Sequence, residues 1–409
     1  MQAPRGDGMA DETRRTPLEG VRVLDLSTIV AGPVIARNLA DFGAEVIKVE
    51  HPRHGDPVRA MAWHEDGVSL WFKVLNRNKL PITLDLSMAR GAELCAALVA
   101  RSDVVVESFR PGTLERWGLD PQDLRATNPG LIVTRVSGFG QTGPYAPRPG
   151  FGTLAEALSG YAGMQGVEGG PPQLPAIALA DQVAGLWGTI ATLLALHHRS
   201  NGGDGQVIDL SLYESLFALL EPLPALYDLT GQEAPRLGNR LPFAAPRGAY
   251  RTADELWLAM SGTAAGGARR ILLAIGGEAL AEDPRFATPS ARLEHAEELD
   301  ALIEEWVGDR TLEEALTVLQ SVAGAAVPVY RMREVFADDH FAARGAVERI
   351  DDEEVGQVAM AGIVPRLSLT PGRLRRTGGR KGEANQHVYG NLLGLDQAEL
   401  AELAAEGVI

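Results

Sequence analysis

Short apolar runs alternate with stretches of helical spacing through the first half of the chain. Val21-Arg-Val-Leu-Asp-Leu26 reads as a strand, Pro33 to Phe42 as a helix opened by Gly32-Pro33, and Ala44-Glu-Val-Ile-Lys-Val-Glu50 as a second strand. The pattern repeats with a strand over Ile82 to Leu86, a helix over Met88 to Ala100, and strands over Asp103 to Glu107 and Leu131 to Val136. These βαβ units predict an α/β fold with a parallel sheet whose ligands bind beyond the carboxyl ends of the strands. A helix follows from about Asp181 to Arg199, then a turn at Asn201-Gly-Gly-Asp-Gly205 and a strand over Gln206 to Leu212.

Past Tyr213 the character changes. A helical stretch to Gly231 is broken at Pro222 and Pro224, Gly248 to Gly262 reads as a hairpin, and amphipathic helices follow near Gly266–Ile275, Ala296–Trp306 and Leu312–Val322. This predicts a smaller α+β domain. Arg373 to Lys381, basic and rich in glycine, reads as a solvated loop.

A chain of 409 residues with 45% hydrophobic and 22% charged residues is folded and long enough for two or three domains. Its net charge of −16 repels phosphate backbones and anionic membranes, so neither nucleic acid nor a membrane is expected as partner, and any phosphate must meet local arginines. The single cysteine, Cys95, reads as a small core residue and suits a reducing cytoplasm. The polar N-terminus has no signal-like apolar stretch, no apolar run reaches membrane-spanning length, and the histidines lack metal-binding spacing. The turn Ser27-Thr-Ile-Val-Ala-Gly-Pro33 lacks the G-x-G-x-x-G of a nicotinamide dinucleotide site.

Asp181 is the only ionisable residue in Leu174-Pro-Ala-Ile-Ala-Leu-Ala-Asp-Gln-Val-Ala-Gly-Leu-Trp-Gly188. A carboxylate buried there without partners would be costly, so it either caps the helix that begins around it or is held as a reactive group with a tuned pKa.

Five segments carry a resemblance. They are Leu24 to Pro33 with Gly43 to Glu50, Asn76-Arg-Asn-Lys79, Glu107-Ser-Phe-Arg-Pro-Gly112, Ser137-Gly-Phe-Gly-Gln-Thr-Gly-Pro144 and the Asp181 segment. In this order the chain, from Leu18 to Ile409, resembles the class III CoA-transferases. The resemblance implies an interlocked homodimer, with a flexible tail over 1–16, a Rossmann-like CoA-binding domain over 17–224, a small α+β domain over 225–327, and a segment over 328–409 that returns to the large domain. It places the catalytic aspartate on Asp181, which attacks an acyl-CoA thioester and passes through mixed anhydrides and an aspartyl-CoA thioester. Gly138, Gly140 and Gly143 would let backbone N–H groups approach an oxyanion or the CoA thiolate, or they form an ordinary turn before Pro144. Coenzyme A, carried as the acyl-CoA substrate with no metal, falls on Ile29, Ala31, His51, Lys79, Ser108, Phe109 and Arg116. This sequence departs from common relatives in having His51 in place of arginine and Ser108 in place of asparagine.

The same superfamily contains α-methylacyl-CoA racemases, whose second base is a histidine aligned with Phe151. Its absence favours transfer over proton exchange. A CoA-binding protein without activity is the third reading, opposed by the intact Asp181 and glycine segments. Pro149 to Gly160, with Pro171-Pro-Gln-Leu-Pro175, resembles a subgroup of dicarboxylate transferases, with succinyl-CoA as the expected donor and a small carboxylic acid as acceptor. Arg240 and Arg247 are then candidates for the distal carboxylate.

Overall fold

The computed structural model describes residues 16–264 and 266–409; apart from Thr16, the expected tail lies outside the described residues. Six strands form a wholly parallel sheet: β1 (Arg22–Asp25), β2 (Glu45–Glu50), β3 (Lys79–Thr83), β4 (Val104–Glu107), β5 (Ile132–Ser137) and β6 (Val207–Ser211). Their spatial order is β3-β2-β1-β4-β5-β6. The chain therefore builds outward from β1 to β3, then crosses back to lay β4 on the other side of β1. At such a reversal the loops leaving β1 and β4 diverge and open a crevice at the carboxyl ends of the strands.

Both faces of the sheet are covered, which is why its strands read as nearly continuous apolar runs. Val23, Val104 and Val106 pack with Ile35, Leu39, Ala184 and Leu196 on one face. Leu24, Ile47, Val105 and Val133 pack with Leu94, Leu98, Tyr389 and Leu403 on the other. The first face is covered by α1 (Ala31–Asp41) and α4 (Leu179–Ser200), the second by α2 (Ala89–Val99); α3 (Gly152–Leu158) and α5 (Leu212–Phe217) pack on α4. Cys95 is fully buried in the second core, and burial pushes its thiol up to about 12.

Three expectations are corrected. Strand β3 begins at Lys79 and ends at Thr83, not over Ile82 to Leu86, because Lys79 is a buried strand residue whose charge is matched internally. Helix α4, at 22 residues, is long and apolar enough to cross a membrane by length and composition, although no such run was expected. Much of its surface instead packs on α1 and the sheet. Within the basic stretch Arg373 to Lys381, residues 377–379 are buried, and Asn78 ties the stretch down by bonding the Arg373 carbonyl and the Arg375 N–H.

The chain divides into two compact units, the first made of the described residues up to Tyr161, Leu174–Glu221 and Ala343–Ile409. The second comprises Ala162–Gln173 and Pro222–Ala342. Its antiparallel sheet has the order β9-β8-β7, from β7 (Arg247–Arg251), β8 (Trp257–Ser261) and β9 (Ala326–Pro328). Leu258, Met260, Ile271, Leu299, Ile303, Trp306 and Leu319 form its core.

Candidate active site

Asp181 is the third residue of α4, and Ala178 occupies the cap position, so the capping alternative is corrected: the carboxylate lies inside the first helical turn. Its surroundings are made by close approach. A Cβ on Gly152, the first residue of α3, would lie 2.0 Å from Asp181 Oδ2, so a side chain there would displace the carboxylate. The backbone N–H groups of Asp181 and of Ala31, the first residue of α1, favour the ionised form. The starts of three helices therefore meet at one carboxylate, an arrangement that suits negative charge. Burial outweighs it. Together with the negative charge of Glu156 on α3, desolvation pushes Asp181 up to about 6.

Sequence reasoning gave Glu156 no role. It is almost fully buried, and its Oε1 accepts the Ala180 N–H at 3.3 Å, at the residue before Asp181. The signal was available: Glu156 interrupts the apolar run Leu154-Ala-Glu-Ala-Leu158 much as Asp181 interrupts its own.

The loop leaving β1 is fixed from beneath by buried charge. Asp25 accepts from Lys79 Nζ at 2.8 Å and from the Ser27 N–H at 3.1 Å; Lys48 pairs with Asp56 at 2.9 Å and donates to the Ser27 carbonyl. Asp56 also accepts the Ile29 N–H at 3.4 Å. Ile29 lies at φ +69°, a left-handed conformation unfavourable for a β-branched residue and sustained only where the surroundings over-determine it.

Lys79 is therefore not placed to meet a phosphate. It is fully buried and its three N–H groups go to Asp25, the Pro33 carbonyl at 2.9 Å and Asn76 at 2.8 Å. Burial lowers its ammonium to about 8. Its neighbour Arg77 is likewise structural, paired with Asp41 at 2.6 Å.

Ile29 on the loop leaving β1, Ala31 at the start of α1, and Ser108 and Phe109 on the loop leaving β4 lie at the carboxyl ends of these adjacent strands. The Ser108 hydroxyl accepts the Thr28 N–H at 2.9 Å, so it braces the β1 loop. Phe109 packs edge-on against Trp117, with ring centroids 5.0 Å apart. His51, past β2, accepts the Arg53 N–H on Nδ1 at 3.1 Å, which directs its proton to Nε2, 3.5 Å from Asp85. Arg116 is exposed, with one N–H on Thr113.

Gly138 owes its identity to packing: a Cβ there would lie 2.5 Å from the Gly150 Cα, so the β5 loop rests directly on the segment that leads into α3. Gly140, at φ +86°, has room for a Cβ but a backbone conformation that disfavours one. Phe151, between Gly150 and Gly152, is 60% exposed.

The two candidate arginines lie in the second unit and differ in availability. Arg240 is bound to Asp300 at 2.8 Å, with Glu297 at 3.7 Å, which corrects its candidacy. Arg247 donates one N–H to the Asn239 carbonyl and lines a concavity of about 510 Å³ with Ala249, Met260, Ser261 and Ala326.

The sequence pattern of CoA-transferase family III matches residues 18–385. Succinyl-CoA–D-citramalate CoA-transferase of Chloroflexus aurantiacus is 44% identical over 98% of this chain and 100% of its own. The alpha subunit of succinyl-CoA–L-malate CoA-transferase from Chloroflexus aurantiacus is 39% identical over 96% of this chain and 92% of its own. The crystal structure of a CAIB/BAIF family protein from Brucella suis superposes with a TM-score of 0.82 at 34% identity, covering 93% of this chain and 100% of that one. A family pattern that spans residues 18–385 and relatives alike along nearly their whole length place the chain in CoA-transferase family III.

Proposed function

We propose that this CoA-transferase takes succinyl-CoA as donor and a small dicarboxylic acid as acceptor, with Asp181 as nucleophile. The observation that carries the reading is a desolvated carboxylate, raised to about 6, where α1, α3 and α4 begin. At neutral pH most of it is ionised, as attack requires, while burial strips it of the water that would blunt its nucleophilicity and hydrolyse an anhydride.

The Asp181 oxygen attacks the thioester carbonyl carbon and the C–S bond breaks, giving a mixed anhydride and CoA thiolate. The thiolate then attacks the aspartyl carbonyl carbon, releasing the donor acid and leaving an aspartyl-CoA thioester. The acceptor carboxylate repeats the two steps in reverse, so Asp181 is regenerated and one thioester replaces another. The peptide N–H groups around Gly138 and Gly140 are assigned to the oxyanions of these steps. Ile29, Ala31, His51, Phe109 and Arg116 form the proposed CoA surface, Arg116 supplying the cation for a phosphate that Lys79 cannot reach. Arg247 is assigned to the distal carboxylate, supported by its uncommitted N–H groups and by the diacids named in the two relatives.

Mass spectrometry of mixtures of the protein, succinyl-CoA, and a panel of diacids and monoacids tests the reading. New diacid thioesters are expected with the wild type and none with Asp181→Ala. Arg247→Gln raises KM for diacids at least tenfold and leaves monoacids unchanged. Undiminished transfer by Asp181→Ala overturns the nucleophile, and equal effects on both acid classes overturn the Arg247 assignment.

A further inference from the structure

A second carboxylate, buried Glu156, acts on the partly buried Asp181. Glu156 lies one helical turn beyond Gly152 on α3, and Gly152 itself abuts Asp181 Oδ2. The Glu156 carboxylate is 3% exposed and bonded to the backbone immediately before Asp181. The other charged groups on elements packed around α4 are engaged elsewhere. On α1, Asp41 pairs with Arg77 and Arg37 bonds Asn38; on β5, Arg135 pairs with Glu107 and Glu115. On β6, Asp209 accepts the Gln141 N–H, and on α5, Glu214 is held by Ser211 and Tyr213. Glu156 is the charged side chain that acts on Asp181.

We propose that Glu156 is a positioning residue for the nucleophile: it fixes the first turn of α4, and its charge favours acylated Asp181 over ionised Asp181. The inference rests on the reading of Asp181 as nucleophile. In the anhydride and in the aspartyl-CoA thioester Asp181 carries no charge: its negative charge passes first to the CoA thiolate and then leaves with the donor acid. Repulsion from Glu156 therefore falls on the free enzyme and is relieved at each acylated stage. The same repulsion makes Asp181 more basic, hence a stronger nucleophile and a poorer leaving group from the mixed anhydride. Each pKa unit corresponds to about tenfold in the balance between the two protonation states.

Glu156→Gln keeps an oxygen for the Ala180 N–H and removes the charge. The acid limb of kcat/KM, expected near pH 6 in the wild type, moves to lower pH. At a fixed ratio of succinyl-CoA to succinate, the fraction of protein carrying covalent CoA, read by intact-protein mass spectrometry, falls about 3- to 10-fold. Glu156→Met removes the same charge and serves if the glutamine protein does not fold. An unmoved acid limb with unchanged CoA loading, in a folded variant, overturns the proposal and leaves Glu156 a structural residue. The parent reading fails separately: wild type that never carries covalent CoA, or Asp181→Ala that does, refutes the nucleophile whatever Glu156 variants show.

Discussion

Ionised Asp181 works against the fold that holds it. Burial and Glu156 raise the group to about 6, whereas in an unfolded chain it titrates near 3.9. Above pH ~6 the folded state bears the whole cost; the cost shrinks as pH falls through that value and is gone below ~4. Asp181→Asn removes the charge and keeps the shape. It is expected to be inactive yet more stable than wild type by about 1–3 kcal/mol at pH 8, with the difference vanishing near pH 3.5. Urea unfolding at the two pH values measures both, and a variant less stable at pH 8 contradicts the account. Asp181 was legible because it stands alone among apolar residues. Lys79 was not, because a lysine opening a strand looks like a surface cation until Asp25, 54 residues away in the chain, is brought beneath it by the pairing of β1, β2 and β3.

At the scale of elements, the site depends on how closely α1 and α4 approach. A Cβ on Gly185 would lie 2.4 Å from Val34 Cγ1 and 2.7 Å from Val34 Cβ; one on Gly188 would lie 2.3 Å from Ile35 Cδ1. These contacts set the distance between the two helices, and α1 begins at Ala31 beside the nucleophile. In an exposed helix interior Gly→Ala stabilises by about 1 kcal/mol. Here Gly185→Ala is expected to destabilise by about 1–3 kcal/mol through overpacking and to lower kcat/KM as the start of α1 shifts. Thermal melts and kinetics on one preparation check this; a melting temperature at or above that of wild type contradicts it. The strands and long helices were readable from apolar spacing, since both faces of the sheet are covered. Spacing along one chain carries no record of the close approach between Gly138 and Gly150, or of Gly152 against Asp181; those are properties of the packed elements.

Among the described residues, α4 keeps an apolar face that the chain leaves open. Along α4, Leu186, Trp187, Ile190, Leu193 and Leu194 are 40–64% exposed while the opposite side of the helix is in the core. Covering a large apolar side chain contributes about 1.5–3 kcal/mol, so five on one helix are a strong drive to associate. In the homodimer that the resemblance implies, this face would be covered by the second copy. One side of the helix seats Asp181 against α1 and α3, and the other presents these five apolar side chains outward. Leu194→Glu separates the possibilities, since on a surface left in water it would change stability by no more than about 0.5 kcal/mol. Light scattering is expected to find wild type as a dimer with a melting temperature that rises with protein concentration, and Leu194→Glu as a monomer that melts lower. A monomeric wild type whose melting is independent of concentration and matched by Leu194→Glu would remove this face from the assembly.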